Sequence, residues 1–184
     1  MTPRKLSKSQ LCQVWIYDTS TGLNSLVFET REILLEAPNW SMQGDALILN
    51  GDGVLWRLPV AKPHLQHIKI VGVPPLNNDH VLDPNGTHIF MSSYDDWQIY
   101  RALLAGGTAE RISGKEGPKG VFHFLHGVSP DGQQLAFVGV NAEPEGDGLR
   151  FKSAEICTMT TQGSNYRQIT HGGAPADGPE YSPD

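Results

Sequence analysis

Cysteine is scarce in this sequence, with Cys12 and Cys157 as the two cysteines among 184 residues. They are too few and too far apart for a disulfide framework or a cysteine-based metal knuckle. Long apolar runs are missing as well, because no stretch approaches the roughly 18 residues that cross a bilayer. We therefore expect no membrane insertion. The basic N-terminal segment is followed by residues too polar for the apolar part of a signal peptide, so we expect a cytoplasmic protein, or a periplasmic one if the true start lies upstream.

Positive charge is also limited, since 14 Lys and Arg stand against 20 Asp and Glu and give a formal net charge of -6 at pH 7. Binding to a nucleic-acid backbone needs a basic surface, so we expect no nucleic-acid partner. Hydrophobic residues make up 39% of the chain, which is enough to form a buried core. The 20 Gly and 13 Pro favour many short elements separated by turns over a few long helices.

One turn signature recurs along the chain, and it is clearest where Pro130 and Asp131 precede a glycine. Proline presets φ, aspartate bonds its own backbone, and glycine accepts positive φ, so the three residues together make a tight hairpin turn. The glycines of the three copies are separated by 42 and 46 residues, a period typical of four-stranded propeller blades. These structural glycines are Gly44, Gly86 and Gly132.

Each turn is followed by apolar residues at the third and fifth positions after the glycine, which is the alternation of a β-strand. A bulky pair of residues marks a third strand, and a short segment ends each unit. The sequence therefore predicts an all-β propeller whose blades each contain four antiparallel strands, A to D. The predicted blades cover residues 37–71, 79–113 and 125–170.

The two ends of the chain fit the same frame. Residues 12–30 resemble strands C and D of a half blade, and residues 179–184 resemble the first strand of a next blade. Closed propellers complete a half blade with the other end of the chain, which removes exposed sheet edges. Because these parts do not close a ring, we expect residues 1–184 to be one incomplete propeller domain. It is then the N-terminal part of a longer protein, or it self-associates through its open blade edges.

The turn before an apolar strand, the Ile99–Tyr100 pair and the closing residues 167–170 resemble the WD40-like (PD40) repeat of the TolB-type β-propeller. The resemblance covers about residues 14–184, although Met42 and Gln43 replace Pro and Asp in the first turn and Asp83 replaces Ser in the second. It implies a ring of usually about six blades, and it implies that protein or peptide partners bind to it.

The repeat also predicts which residues face the mouth of the central channel. Strand A runs nearest the axis, so the D-to-A connections just before it should line that mouth. Two histidines each stand six residues before a turn glycine, which predicts equivalent places on adjacent blades. A long B-to-C loop over residues 139–153, with Glu143, Glu145 and Asp147, should lie at the same mouth. The candidate binding residues are Asn39, Asn78, Asp79, His80, His126, Asp177 and Glu180.

Three interpretations of this mouth stay open. Polar side chains can satisfy backbone groups at strand ends, or they can form a pocket for a ligand or a partner's peptide. Imidazole and carboxylate groups also suit a divalent transition metal, for which His80 and His126 are the candidate ligands. We expect no other cofactor.

Two classes of function remain after the motifs are weighed. No catalytic residue is identified, because the sequence around Ser129 lacks the spacing of a nucleophile elbow. The preferred hypothesis is a non-catalytic scaffold that binds a protein, a peptide or a small polar ligand. The alternative is an enzyme, since propellers with similar repeats act as metal-assisted lyases on acidic oligosaccharides or as gating domains of prolyl-oligopeptidase-type peptidases. Either enzyme would need further residues beyond residue 184.

Overall fold

A computed structural model describes residues 3–145 and 148–183, which form β-strands and no helix. Accordingly, this part of the chain has no helix with the length and apolarity to cross a membrane. A two-stranded antiparallel sheet comes first, and three four-stranded antiparallel sheets follow it. The predicted all-β class with four-stranded blades is therefore confirmed.

The strands lie in the sheets in the order of the chain. The first sheet contains β1 (Cys12–Asp18) and β2 (Leu23–Thr30). The second sheet contains β3 (Glu36–Trp40), β4 (Ala46–Gly51), β5 (Val54–Pro59) and β6 (Gln66–Ile68). The short strand β7 (Ile70–Val71) follows. The third sheet contains β8 (Leu76–Leu82), β9 (His88–Ser93), β10 (Ile99–Leu103) and β12 (Glu110–Arg111). A separate short strand, β11 (Gly107–Thr108), pairs in parallel with β7. The fourth sheet contains β13 (Val121–Val128), β14 (Gln134–Glu145), β15 (Gly148–Thr160) and β16 (Arg167–Gln168).

Hydrophobic cores lie between neighbouring sheets. Ile48 of the second sheet packs with Met91 of the third, and Phe90 of the third packs with Phe137 of the fourth. The second and third sheets each have a neighbouring sheet on both faces, so their second strands are buried on both sides. All six residues of β4 are buried, for example. This face-to-face stacking positions the first strands of successive sheets side by side.

The three turn glycines close the hairpins between the first and second strands. Their φ angles are 68°, 67° and 70°, in the left-handed region that a Cβ atom disfavours. The amide of each glycine donates to the carbonyl three residues earlier, and in the third turn Gly132 N reaches Ser129 O at 2.8 Å. Asp131 adds a side-chain acceptor for the hydroxyl of Ser129 at 2.5 Å and for the amide of Gln133 at 3.0 Å. Pro130, at the corner, is exposed.

The first strands begin earlier than the sequence predicts. They start at Glu36, Leu76 and Val121, where the predicted blades start at 37, 79 and 125. The second strands continue past their last predicted apolar position, and this extra length pairs with residues assigned to the D-to-A connections. His80 and His126 therefore lie inside first strands and not in the connections before them.

Within the predicted long loop over residues 139–153, residues 139–145 and 148–153 instead belong to two paired antiparallel strands. The ladder of β14 and β15 runs from Gln134 opposite Thr160 to Glu145 opposite Gly148. Cross-strand charge pairs support this extension, because Glu143 forms ion pairs with both Arg150 and Lys152. Asp147, which was assigned to the same loop, lies outside the described residues.

Residues 179–183 have no regular secondary structure, although the sequence predicts a first strand over 179–184. A strand needs a hydrogen-bonded neighbour, and none of the described residues pairs with this segment in a ladder. The segment instead lies against β13, where Pro179 and Glu180 approach Gly127. Asp184 is outside the described residues.

Candidate functional site

A cavity of about 510 Å³ lies at the first strands β3, β8 and β13, and we refer to it as the first-strand cavity. β8 is the middle strand and contacts both β3 and β13. The C-terminal segment contributes one side chain to the wall. The lining residues are Ala37, Pro38, Asn39, Trp40, Met42, Asn78, Asp79, His80, Val81, Leu82, Leu125, His126, Gly127, Val128 and Glu180.

A β-bulge interrupts β8 at the cavity. The ladder passes from Leu76 opposite Ser93 to His80 opposite Met91, so that residues 77–79 face a single partner residue. A bulge leaves residues unpaired and re-aims their side chains. Asp79 is one of these bulged residues.

A second bulge interrupts β13. Leu125 lies opposite Phe137 and Gly127 lies opposite Ala136, which leaves His126 without a partner in the ladder. His126 is therefore the extra residue of its strand. The bulges of two neighbouring first strands thus bring an aspartate and a histidine to one cavity.

The bulges change which positions of the repeat correspond in space. His80 lies opposite Met91, the fifth residue after Gly86. In the next sheet, Leu125 lies opposite Phe137, the fifth residue after Gly132. Both side chains are buried, with 4% and 1% exposure. The spatial counterpart of His80 is therefore Leu125. The two histidines do not occupy equivalent places, in contrast to the sequence prediction. The reason is that the bulge in β13 inserts one residue, His126, between Leu125 and the turn glycine.

His80 packs between two sheets as well as bordering the cavity. Its Nε2 lies 3.3 Å from the carbonyl oxygen of Ile48 in β4. Burial lowers the pKa of the imidazole, so the ring is neutral and Nε2–H is the donor in this contact. Nδ1 is then an acceptor, and it has no hydrogen-bond partner among the described residues.

His126 is more open than His80, with 26% of its side chain exposed. Its Nε2 lies 3.4 Å from Oδ1 of Asp177, whose own side chain is 88% exposed. A weak ion pair forms there when the imidazole is protonated. Asp177 thus lies beside the cavity without lining it, whereas Glu180 lines it directly.

Asp79 contributes to the cavity wall a carboxyl group whose pKa is raised. Its carboxylate accepts a hydrogen bond of 2.9 Å from the side-chain amide of Asn77, and its backbone amide donates to Asn77 Oδ1 at 2.8 Å. Burial raises the pKa of Asp79 to about 6, although the nearby imidazole of His126 and the bond from Asn77 lower it. The carboxyl group therefore changes charge near neutral pH.

Asn39 holds two first strands together. Its side-chain amide donates to the carbonyl of His80 at 3.1 Å and to the carbonyl of Ala37 at 3.2 Å. Ala37 has a φ of 49°, a left-handed conformation at the bulge of β3. Asn39 thus acts as a structural clamp on the cavity wall, and Asn78 lines the same wall from β8.

Six of the seven predicted site residues line the cavity, and the seventh, Asp177, contacts His126. Sequence reasoning missed Trp40 and Met42, which also line it and are 48% and 53% exposed. Both residues belong to the first copy of the turn signature, at residues 40–44. The sequence analysis therefore assigned them to the turn and not to the cavity. It also missed Arg4, whose guanidinium lies 2.5 Å from Glu36 at the start of β3.

The acidic hairpin does not take part in the cavity. Glu143 and Glu145 line none of it, and Arg150 forms ion pairs with both. Within residues 3–145 and 148–183, no group of three or more His, Cys, Asp or Glu side chains is arranged to hold a metal ion.

Comparison with known proteins relates the chain to propellers. No family model matches it, so the assignment to the PD40 repeat stays a prediction. An uncharacterised protein of Agrobacterium fabrum is 32% identical over 180 residues, which cover 96% of this chain and 56% of the relative. This chain thus spans little more than half the length of that relative.

Solved structures give the same result. A provisionally assigned TolB from Agrobacterium tumefaciens superposes with a TM-score of 0.76 at 30% identity, over 92% of this chain and 57% of that one. An oligogalacturonate lyase from Vibrio parahaemolyticus has a TM-score of 0.51 at 10% identity, over 92% of this chain and 62% of that one. The likeness to the lyase shows the fold alone. The predicted resemblance of this chain to TolB-like β-propeller proteins is therefore confirmed in both sequence and fold.

Proposed function

We propose that this chain is part of a non-catalytic propeller scaffold that binds a protein segment, a peptide or a small polar ligand in the first-strand cavity. The observation that carries this proposal is the convergence of two bulged residues, Asp79 and His126, on one cavity. Bulges are over-represented next to functional sites because they re-aim side chains. A regular ladder in the same place would keep both side chains within the alternation of the sheet.

The wall of the cavity has the composition of a binding site. Ligand pockets combine apolar contact area with a small number of polar groups that fix orientation. Trp40 and Met42 supply exposed apolar surface, while Asp79 and Glu180 supply carboxylates. The volume of about 510 Å³ accommodates a few amino-acid side chains.

An arrayed peptide library, probed with the purified 184-residue chain, tests this proposal. Trp40→Ala removes an aromatic side chain from the cavity wall, and Trp15→Ala is a matched control. Trp15 has a similar exposure of 52% but lies on the two-stranded sheet, outside the cavity lining. We expect a subset of peptides whose binding falls at least about tenfold in Trp40→Ala and is unchanged in Trp15→Ala, because buried aromatic contacts dominate binding. Binding that responds equally to both changes, or no binding at all, would contradict the proposal.

A further inference from the structure

We infer that the first-strand cavity selects a cationic group, a guanidinium or an ammonium on the bound peptide, and that Asp79 is the residue that determines this selectivity. The inference rests on the proposed function and names the ligand class for the same cavity.

Two side-chain amides around Asp79 are already engaged as donors. The side-chain amide of Asn39 already donates to two backbone carbonyls, and that of Asn77 donates to Asp79. The carboxylates of Asp79 and Glu180 are acceptors on the same wall. A ligand rich in N–H donors complements such a wall, and guanidinium and ammonium groups are donors with no acceptor.

The charges around Asp79 favour a cation as well. The charged or titratable groups that act on it are His126 on β13, Asp177 just before residues 179–183, and Arg4 near the N-terminus. Glu180 lines the same cavity, and His80 follows Asp79 on its own strand. Arg4 is engaged by Glu36 at 2.5 Å, and His126 lies 3.4 Å from Asp177. Asp79 itself has no ion-pair partner within the part of the chain that the structure describes. A ligand cation supplies the missing partner.

An exposed aromatic ring completes the set. Trp40 lines the same cavity and is 48% exposed. Arginine and lysine groups are attracted to the face of a tryptophan ring, and a carboxylate in the same cavity binds them directly. The wall therefore offers both of the contacts by which proteins recognise arginine.

Asp79 also makes this binding sensitive to pH. Burial raises the pKa of its carboxyl group to about 6, so the group is largely ionised at pH 7.5 and largely protonated at pH 5.0. A cation binds to the ionised form and shifts the equilibrium towards it. We therefore expect a cationic peptide to bind about tenfold more weakly at pH 5.0 than at pH 7.5.

The test measures the affinity of two peptides that differ in one charge. N-acetyl-Gly-Arg-Gly-amide carries a guanidinium, and the citrulline analogue has nearly the same shape without the charge. Calorimetric titration of the 184-residue chain at pH 7.5 and pH 5.0 compares the wild type with Asp79→Asn. Asp52→Asn is the matched control, because it removes the same charge from an exposed turn outside the first-strand cavity. Methylguanidinium chloride is a third probe, which separates a free cation from a peptide.

We expect the arginine peptide to bind the wild type at least about tenfold more tightly than the citrulline peptide at pH 7.5. This preference should disappear in Asp79→Asn and persist in Asp52→Asn. Methylguanidinium that binds as tightly as the arginine peptide supports selection of the cation itself. Equal affinity for arginine and citrulline, failure of the arginine peptide to bind, or a preference that survives Asp79→Asn overturns the inference. Equal affinities that still fall in Trp40→Ala but not in Trp15→Ala overturn the cation selectivity and leave the proposed binding function intact.

Discussion

His80 and His126 stand at the same distance from their turn glycines in two neighbouring sheets, yet their surroundings differ. His80 keeps its place in the ladder opposite Met91 and is 4% exposed, with Nε2 directed at a carbonyl of the adjacent sheet. His126 lies outside the ladder of its strand and reaches an exposed aspartate at 3.4 Å. His80 belongs to the packing between sheets, and His126 belongs to the wall of the first-strand cavity.

The difference shows that a repeat position does not by itself define an environment. In β8 the bulge comes before His80, and in β13 it falls on the histidine itself. A shift of one residue in a strand moves a side chain from one face to the other. The bulged residue Asp79, and not His80, is thus the residue of β8 whose charge is influenced by His126 across the cavity.

The largest expected effect is the loss of stability in His80→Ala. The change removes a buried side chain between two sheets and leaves the carbonyl of Ile48 without its donor. Cavity formation and the unsatisfied group together cost about 3 to 4 kcal/mol of unfolding free energy. Urea unfolding monitored by tryptophan fluorescence measures this cost. His80→Leu introduces the residue of the spatial counterpart and should cost clearly less; if it costs as much as alanine, the correspondence with Leu125 is wrong.

Asp79→Asn should stabilise the chain at pH 8, by up to about 3 kcal/mol for a pKa raised by about two units. Because the pKa of Asp79 in the folded chain, about 6, is above its ordinary value of 3.8, the folded state binds the proton more tightly than the unfolded state. The contribution of this group is fully present below pH 3.8 and is lost as the pH rises through about 6. The asparagine variant, which cannot ionise, escapes this loss.

Unfolding free energies at pH 8 and pH 4 test this linkage. The stability difference between Asp79→Asn and the wild type should shrink towards zero at the lower pH. Asp52→Asn, on an exposed turn, should show no such trend. A stabilisation that is the same at both pH values would mean that burial of the charge is not its cause.

Gly127→Ala has a smaller expected effect on the bulge beside His126. An added Cβ would lie 3.1 Å from the carbonyl oxygen of Pro179 and 3.3 Å from a carboxylate oxygen of Glu180. The C-terminal segment must move by a few tenths of an ångström, at a cost of about 1 kcal/mol. Hydrogen exchange should show faster exchange of the amides of residues 180–182. Unchanged exchange there would place the segment away from the bulge.

The smallest expected effect on stability is that of His126→Ala, which should change the unfolding free energy by less than about 0.5 kcal/mol. The side chain lies outside the ladder, and its ion pair with Asp177 is exposed on the aspartate side. A matched unfolding series with His80→Ala sharpens the comparison directly. If both alanine variants lose the same stability, the assignment of His80 to the core and of His126 to the first-strand cavity is wrong.

The fold could be predicted from the sequence because the residues that indicate it are close together in the chain. The turn glycines and the alternation after them depend on neighbouring residues, so the three turns and the four-stranded order follow from spacing alone. The hairpin over residues 139–153 was missed because its extension depends on cross-strand ion pairs such as that of Glu143 with Arg150. These pairs become visible only once the register is known.

The site was accessible only in part. The positions before the turns identified Asp79, His80 and His126, which all line the cavity. The sequence does not show where a bulge falls, because the extra residue is defined by the pairing of a strand with its neighbour. The assignment of His80 to the packing and of Asp79 to the cavity therefore required the register of β8.

The bulge in β13 adds one side chain to the wall of the first-strand cavity, while the residues on either side of it remain paired with β14. A single-codon insertion in a first strand can therefore alter what a blade presents to a ligand without disturbing the cores on either side. Blades that arose by duplication can in this way diverge in recognition one at a time, while their shared packing continues to select the same fold.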